Sequence, residues 1–257
     1  MDALIGHTGF VGGNLLLQHG FGACYNSKNI ASIAGREFDT LVFSGAQAKK
    51  WWANQNPEAD KAGIQRALDA MKDVRANSAV LISTVDVVPR ISGADEDFDC
   101  AGMPNHAYGT HRLWLENELR GRFPALLVVR LPGLFGPGLQ KNIIYDLLHD
   151  NMVDKIDPAA RFQFYDLLGL WNDILKAQGA GLALVHFATE PVPAADIAGR
   201  FFPGAAMGTA PASGSPAYDL RTRHAAVFGG AGGYIQDKAE VMHRMAEFIA
   251  TERAGGQ

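Results

Sequence analysis

Tyr108 opens the stretch Tyr108-Gly109-Thr110-His111-Arg112, which follows a polar, Gly/Pro-rich loop and reads as the start of a helix. The strand before that loop ends in Ser83-Thr84. A phenol, a hydroxyl and a cation are the parts needed to move a proton on a carbinol or carbonyl oxygen while a hydride moves on its carbon. The phenol has a pKa of about 10 in water and delivers that proton if the value is drawn toward neutrality. A neighbouring hydroxyl holds the same oxygen in line, and a nearby cation lowers the phenol pKa. Tyr108 is therefore the candidate acid/base and Thr84 the candidate orienter. The plain alternative is a helix-start aromatic and a strand-end hydroxyl. Helical spacing puts Arg112 one turn beyond Tyr108. Its guanidinium is bulky, planar and always protonated, so it polarises or bonds but joins no proton relay. His111 titrates in the right range, but adjacent helix positions point about 100° apart, which reads as a lateral or surface side chain.

Such groups need a sheet to position them and a redox partner. Ala3–Ile5 is a short apolar strand entering Gly6-His7-Thr8-Gly9-Phe10-Val11-Gly12, a G-x-x-G-x-x-G triplet, and a helix follows over residues 12–19. Strand, glycine turn and helix form a cradle for a pyrophosphate: glycine admits positive φ and close backbone approach, and the helix start offers unpaired N–H groups and its positive dipole end. The triplet alone is weak, because 29 of 257 residues are glycine; its place between a strand and a helix is what gives it meaning. Further strands are predicted at 23–25, 40–44, 79–84 and 125–130, with helices at 56–74 and 108–119. This alternation predicts a Rossmann-type, doubly wound parallel α/β sheet whose ligands sit at the carboxyl ends of the strands. Beyond Arg130 the pattern loosens. Residues 131–138 read as a Gly/Pro loop, 141–149 and 169–177 as helices, 162–165 and 183–188 as strands, 203–216 as a loop and 242–251 as a closing helix. One domain spans residues 1–257, its core mainly 1–130 with late sheet elements from about 160–190. Segments of 131–235 are expected to form a small C-terminal substrate lobe.

NAD preference usually needs a carboxylate at the end of the second strand, on the ribose diol. Cys24-Tyr25-Asn26-Ser27-Lys28-Asn29 has none. Ser27 and Lys28 suit a 2′-phosphate instead, so NADP(H) is favoured, with NAD(H) the alternative. Ala46 and Gln47, after the 40–44 strand, are expected beside the cofactor. Trp51-Trp52 reads as a pocket wall or a loop anchor. An ATP site of the phosphate-loop kind is disfavoured because G-K-[ST] is lacking.

In this layout the chain resembles the extended or atypical short-chain dehydrogenases/reductases, the family of sugar-nucleotide epimerases, dehydratases and deoxysugar reductases. The resemblance spans most of the chain. It rests on the glycine triplet, on Thr84 and Tyr108, on Arg130-Leu131-Pro132-Gly133-Leu134-Phe135-Gly136-Pro137-Gly138 (similar to R-x-x-x-x-[YF]-G-P-G), and on Glu190-Pro191-Val192. It departs at Arg112, where the family's Y-x-x-x-K has lysine. Slowed activity, altered chemistry, or a nucleotide-binding, regulatory protein with little catalysis are the open consequences. The resemblance implies an NAD(P)-dependent oxidoreductase or epimerase acting on a nucleotide sugar or related keto or hydroxy sugar. It implies cofactor contacts at Gly6, Thr8, Gly9, Phe10, Val11, Gly12, Asn26, Ser27, Lys28, Ser44, Gly45, Ala46, Ser83, Tyr108, Arg112, Leu131 and Pro132. Lys141 and Asn142 fall where the family contacts substrate. Gln163, Tyr165 and Arg221 are further substrate candidates, the last through a bidentate grip on a diphosphate; the plain reading of each is structural or surface. The resemblance also implies a homodimer through the Tyr108 helix and its neighbour, with Trp114 and Leu115 in either interface or core.

Composition fits this reading. Hydrophobic residues make up 47% and charged residues 19%, with a net charge of −4. No basic or aromatic-plus-basic run suggests nucleic acid, and no segment reads as a signal peptide or membrane span. Cys24 and Cys100 form no metal-like cluster, so reduced thiols in a cytoplasmic protein and no metal site are expected.

Overall fold

The computed structural model describes residues 1–211 and 214–255, so two residues of the predicted 203–216 loop lie outside the described residues. The chain divides into two compact units.

The first unit comprises residues 1–89, 97–131 and 170–185. Its strands are β1 (Ala3–Ile5), β2 (Ala23–Tyr25), β3 (Glu37–Phe43), β4 (Arg75–Thr84), β5 (Leu126–Leu131) and, closing the edge, β9 (Leu184–His186). They form one sheet in the order β2-β1-β3-β4-β5-β9. The pairs β1–β2, β1–β3, β3–β4 and β4–β5 are parallel. Order therefore reverses at β1, the topological switch point where open α/β sheets place ligands. Alternate residues point to opposite faces. Ala3, Ile5, Leu41, Phe43, Ala79, Leu81 and Val128 meet Ile64 and Leu68 of α3 (Pro57–Ala70) and Leu115 and Leu119 of α4 (Ala107–Arg122) in one core. Leu4, Val42, Val80, Leu127 and Val129 are buried on the opposite face. There α6 (Leu170–Gly179) packs on β5, tied to the end of α1 (Phe10–Leu16) by a bond from Trp171 N–H to Gln18 Oε1 of 2.9 Å.

Two departures from the predicted elements stand out. β3 and β4 start earlier than their apolar runs because their first residues pair at an exposed sheet end, where Glu37 faces Arg75. The Trp51-Trp52 segment is a short helix, α2 (Lys50–Gln55), with Trp51 largely exposed. Of the two readings of Leu115, the structure gives the core one.

The second unit comprises residues 90–96, 132–169 and 186–257. β6 (Gly133–Phe135), inside the predicted loop, pairs in parallel with β8 (Phe164–Asp166), and β7 (Arg161–Phe162) pairs antiparallel with β10 (Val192–Pro193). The expected strand over 162–165 is thus two short strands, because Gln163 between them turns its amide inward. α5 (Ile143–Leu148), α7 (Ala194–Phe201) and α8 (Lys238–Gly255) complete the unit. Phe135 packs on Phe248 of α8. Glu96 pins the backbone N–H groups of His186 and Arg223 and the Thr222 hydroxyl.

Candidate active site

The glycine turn is set by the protein's own backbone at two positions and left open at the third. Gly6 has φ +93°, and a Cβ there would lie 2.6 Å from Ser44 carbonyl atoms; at Gly12 it would lie 2.1 Å from Gly6 O. A Cβ at Gly9 would meet only Gly6 O, at 3.3 Å, and Thr8 and Gly9 are exposed. Gly9 caps α1 without a side-chain bond, so the first-turn N–H groups of Phe10, Val11 and Gly12 retain the donor character that suits an anion. His7, which the sequence reading passed over, fixes the turn to β2 through a 3.0 Å contact between Nδ1 and Tyr25 O. These features fit a nucleotide pyrophosphate.

At the end of β2, Asn26 Oδ1 accepts the Lys28 N–H (2.9 Å), and Asn29 Oδ1 accepts the Asn26 N–H (2.7 Å). This double turn leaves Ser27 and Lys28 exposed, with no carboxylate among them. At the end of β3, Ser44 Oγ donates to Ile5 O (3.0 Å), Gly45 is exposed and Ala46 packs on the core.

Tyr108 and Thr84 come together because α4 approaches the turn after β4 very closely. A Cβ on Gly109 would sit 2.3 Å from Asp86 O and from Asn105 Nδ2. Asn105 Nδ2 donates to Asp86 O (3.0 Å), and His106 Nδ1 caps α4 by accepting the Gly109 N–H (2.9 Å). Tyr108 is buried, with Thr84 beside it. Burial pushes the phenol above its ordinary value, and the Asp86 charge adds to this; Arg112, Thr84 and Lys50 pull it down. His106 is held below the ordinary histidine value by burial and then by Lys50.

Arg112 is the main correction to the expected site. Its guanidinium is buried, bonded to Asp60 of α3 and to the Gln47 carbonyl, and lies over the Tyr108 ring with Cζ 4.1 Å from the centroid. The guanidinium is thus held by the protein's own groups, and of the neighbouring charges it lowers the phenol pKa most. His111 Nδ1 sits 2.8 Å from the same Asp60 carboxylate, so it is an internal partner rather than a surface side chain. Ser83 is a second correction. Its Oγ donates to Glu116 Oε1 (2.6 Å), and the fully buried Glu116 is gripped bidentately by Arg130 at 3.0 and 2.7 Å. The arginine of the R-x-x-x-x-F-G-P-G motif thus braces β4, α4 and β5. Leu131 ends β5 buried in the first unit, and Pro132 begins the next segment of the second.

Within the second unit, three substrate candidates are structural. Gln163 donates to the Thr189 and Leu220 carbonyls (2.6 and 2.8 Å) and accepts the Leu220 N–H (2.8 Å). Tyr165 is fully buried against Phe187. Arg221 bonds Asp219 and Gly232 O and covers the Tyr234 ring, which leaves no open fork for a diphosphate. Asn142 caps α5, accepting from Ile144 and Tyr145 N–H while donating to Leu134 O, at a φ of +120° that non-glycine residues rarely adopt. Lys141 beside it is exposed. Sequence reasoning missed Lys50, Asn54, Asp60 and Asp86, all of which touch the Tyr108 surroundings. The one available signal was the i, i+4 spacing of Lys50 and Asn54 next to the two tryptophans. Among the described residues no cluster of metal-ligating side chains occurs and no helix is long and apolar enough to cross a membrane.

No protein-family model matches the sequence, and no curated protein matches it. Solved structures do. A dTDP-4-dehydrorhamnose reductase from Clostridium acetobutylicum superposes with a TM-score of 0.73 at 16% identity, covering 98% of this chain and 100% of its own. The Bacillus anthracis dTDP-4-dehydrorhamnose reductase in complex with NADP gives 0.74 at 14%, covering 97% of each chain. MoeE5 in complex with UDP-glucose and NAD gives 0.72 at 14%, covering 100% of this chain and 99% of its own. The fold is therefore the Rossmann-like α/β fold of sugar-nucleotide reductases, shared with epimerases and dehydratases of nucleotide sugars.

Proposed function

We propose that the protein is an NAD(P)-dependent oxidoreductase or epimerase acting on a nucleotide sugar or a related keto sugar, with Tyr108 as the proton donor and acceptor. The observation that carries this reading is the buried Tyr108, held beside Thr84 by the close approach of α4 to the turn after β4, at the carboxyl edge of a sheet whose first strand feeds an open glycine turn. A nicotinamide cofactor supplies or takes the hydride. In the reductive direction Tyr108 breaks its O–H bond to the ketone oxygen and becomes a phenolate, and Thr84 holds that oxygen in line. The turn at Gly6, Gly9 and Gly12 receives the pyrophosphate, and Ser27 and Lys28 favour the 2′-phosphate of NADP(H). Two neighbours of the same fold, seen with NADP and with NAD, support a dinucleotide without fixing which. Lys141 is our remaining candidate for the substrate's phosphate or sugar, and a homodimer through α3 and α4 completes the reading.

The neutralised Arg112 favours a second reading, a nucleotide-binding protein of low turnover. Parallel titration with NADPH and NADH, followed by tryptophan quenching, decides whether a dinucleotide binds at all. A screen of keto-sugar nucleotides with wild type and Tyr108→Phe then separates the two readings. Turnover abolished by the substitution supports the enzyme; binding without any turnover supports the second reading; binding of neither dinucleotide overturns both.

A further inference from the structure

Lys50 and Asn54 stand one turn apart on the same face of α2. Asn54 Oδ1 accepts the backbone N–H of Tyr108 (3.0 Å), and Lys50 Nζ pairs with Asp86 Oδ1 (2.7 Å). The Asp86 N–H in turn donates to Thr84 Oγ1 (3.1 Å), the hydroxyl beside Tyr108. α2 is thus fixed to both halves of the proposed acid/base pair. The charged and titratable groups around the phenol are Arg112 on α4, His106 at its N-cap, Asp86 after β4 and Lys50 on α2, while Asp60 and His111 act through Arg112. Both cations are ion-paired, Arg112 with the buried Asp60 and Lys50 with Asp86, and Arg112 acts on the phenol more strongly than Lys50; what distinguishes Lys50 is that its partner is the carboxylate that opposes the phenolate.

We infer that Lys50 is a positioning residue for the Tyr108 proton: from α2 it pairs with Asp86 and offsets the carboxylate that lies beside the phenol, in addition to the Arg112 cation on the tyrosine's own helix. The catalytic meaning of this inference rests on the Tyr108 reading above. When the Tyr108 O–H bond breaks toward the substrate oxygen, a full negative charge is left on the phenol oxygen. Without Lys50 that charge forms beside an uncompensated carboxylate.

The test is ionisation of Tyr108 in the cofactor-free protein, followed by NMR of ζ-carbon-labelled tyrosine and assigned with Tyr108→Phe. Lys50→Met is expected to lower the phenolate fraction at a given alkaline pH by about tenfold, roughly one unit of pKa for one nearby charge. Asp86→Asn is expected to move it the opposite way, and Lys50→Arg to restore the wild-type curve. A purely structural role moves both single variants in the same direction. That result, or no movement in either, overturns the inference. The readout needs neither cofactor nor turnover, so an inactive protein leaves this test standing, while an active one with an unmoved titration removes Lys50 alone.

Discussion

The Arg112 guanidinium lies over the face of the Tyr108 ring, its Cζ 4.1 Å from the centroid, while bonding the buried Asp60 carboxylate. Stacking and ion pairing together lock the tyrosine ring onto α3 and α4. Arginine suits this role, since a planar fork can bond and stack at once and an ammonium cannot.

Removing that lock should be costly in stability. Arg112→Met leaves Asp60 buried without its cation, a change that typically costs about 3–5 kcal/mol. The denaturant midpoint should fall accordingly, and Asp60→Asn/Arg112→Met together should recover part of the loss. An unchanged midpoint for the single variant would contradict the pairing.

Glu116 makes the parallel case at the centre of the first unit. Arg130 holds it from β5, and Ser83 and Arg120 complete its partners. Glu116→Gln should cost about 3–5 kcal/mol, because Arg130 is then buried with its charge uncompensated. Ser83→Ala should cost less, about 1.5–3 kcal/mol, the worth of one hydrogen bond to a charged group. Chemical denaturation of both variants reads the difference, and equal losses would argue against the ion pair as the dominant contribution.

The raised Tyr108 value has a consequence for alkaline stability. Burial, then Asp86, favours the neutral phenol in the folded state. A group raised on folding contributes stability that is fully present below its unfolded value of about 10 and is lost as pH rises through the folded value. Melting temperatures between about pH 9 and 11 should therefore fall more steeply for wild type than for Tyr108→Phe. Parallel curves would show that the phenol is not perturbed.

Legibility from sequence followed how local each signal was. The glycine turn, the apolar strands and the Tyr108 helix announce themselves through residue types a few positions apart. Their partners do not: Asp60 meets Arg112, and Lys50 meets Asp86, only after parallel crossovers bring distant segments side by side. The same distance explains why Gln163, Tyr165 and Arg221 stayed open between a pocket role and a structural one. A polar side chain on a short strand carries no local mark that its amide or guanidinium will be committed to backbone carbonyls such as Thr189 O, Leu220 O and Gly232 O. β6 and α7 escaped notice because a three-residue strand between glycines and a short helix are below the length at which periodicity speaks.

Gly109 is where fold and proposed chemistry meet most tightly. No side chain fits there, since its Cβ would lie 2.3 Å from Asp86 O, a backbone atom that cannot swing aside. Gly109→Ala should therefore push the first turn of α4 away from the turn after β4 and move Tyr108 away from Thr84. Helix propensity alone favours alanine by up to about 1 kcal/mol, so a steric effect must overcome that gain to show itself. The expected result is a folded protein of lower stability whose dinucleotide affinity is nearly unchanged and whose turnover, if the Tyr108 reading holds, drops by at least about tenfold, as a displaced acid/base group predicts. Thermal melting and dinucleotide titration of the same preparation measure the first two effects independently of substrate. A variant more stable than wild type would mean that α4 does not approach Asp86 as closely as the structure places it.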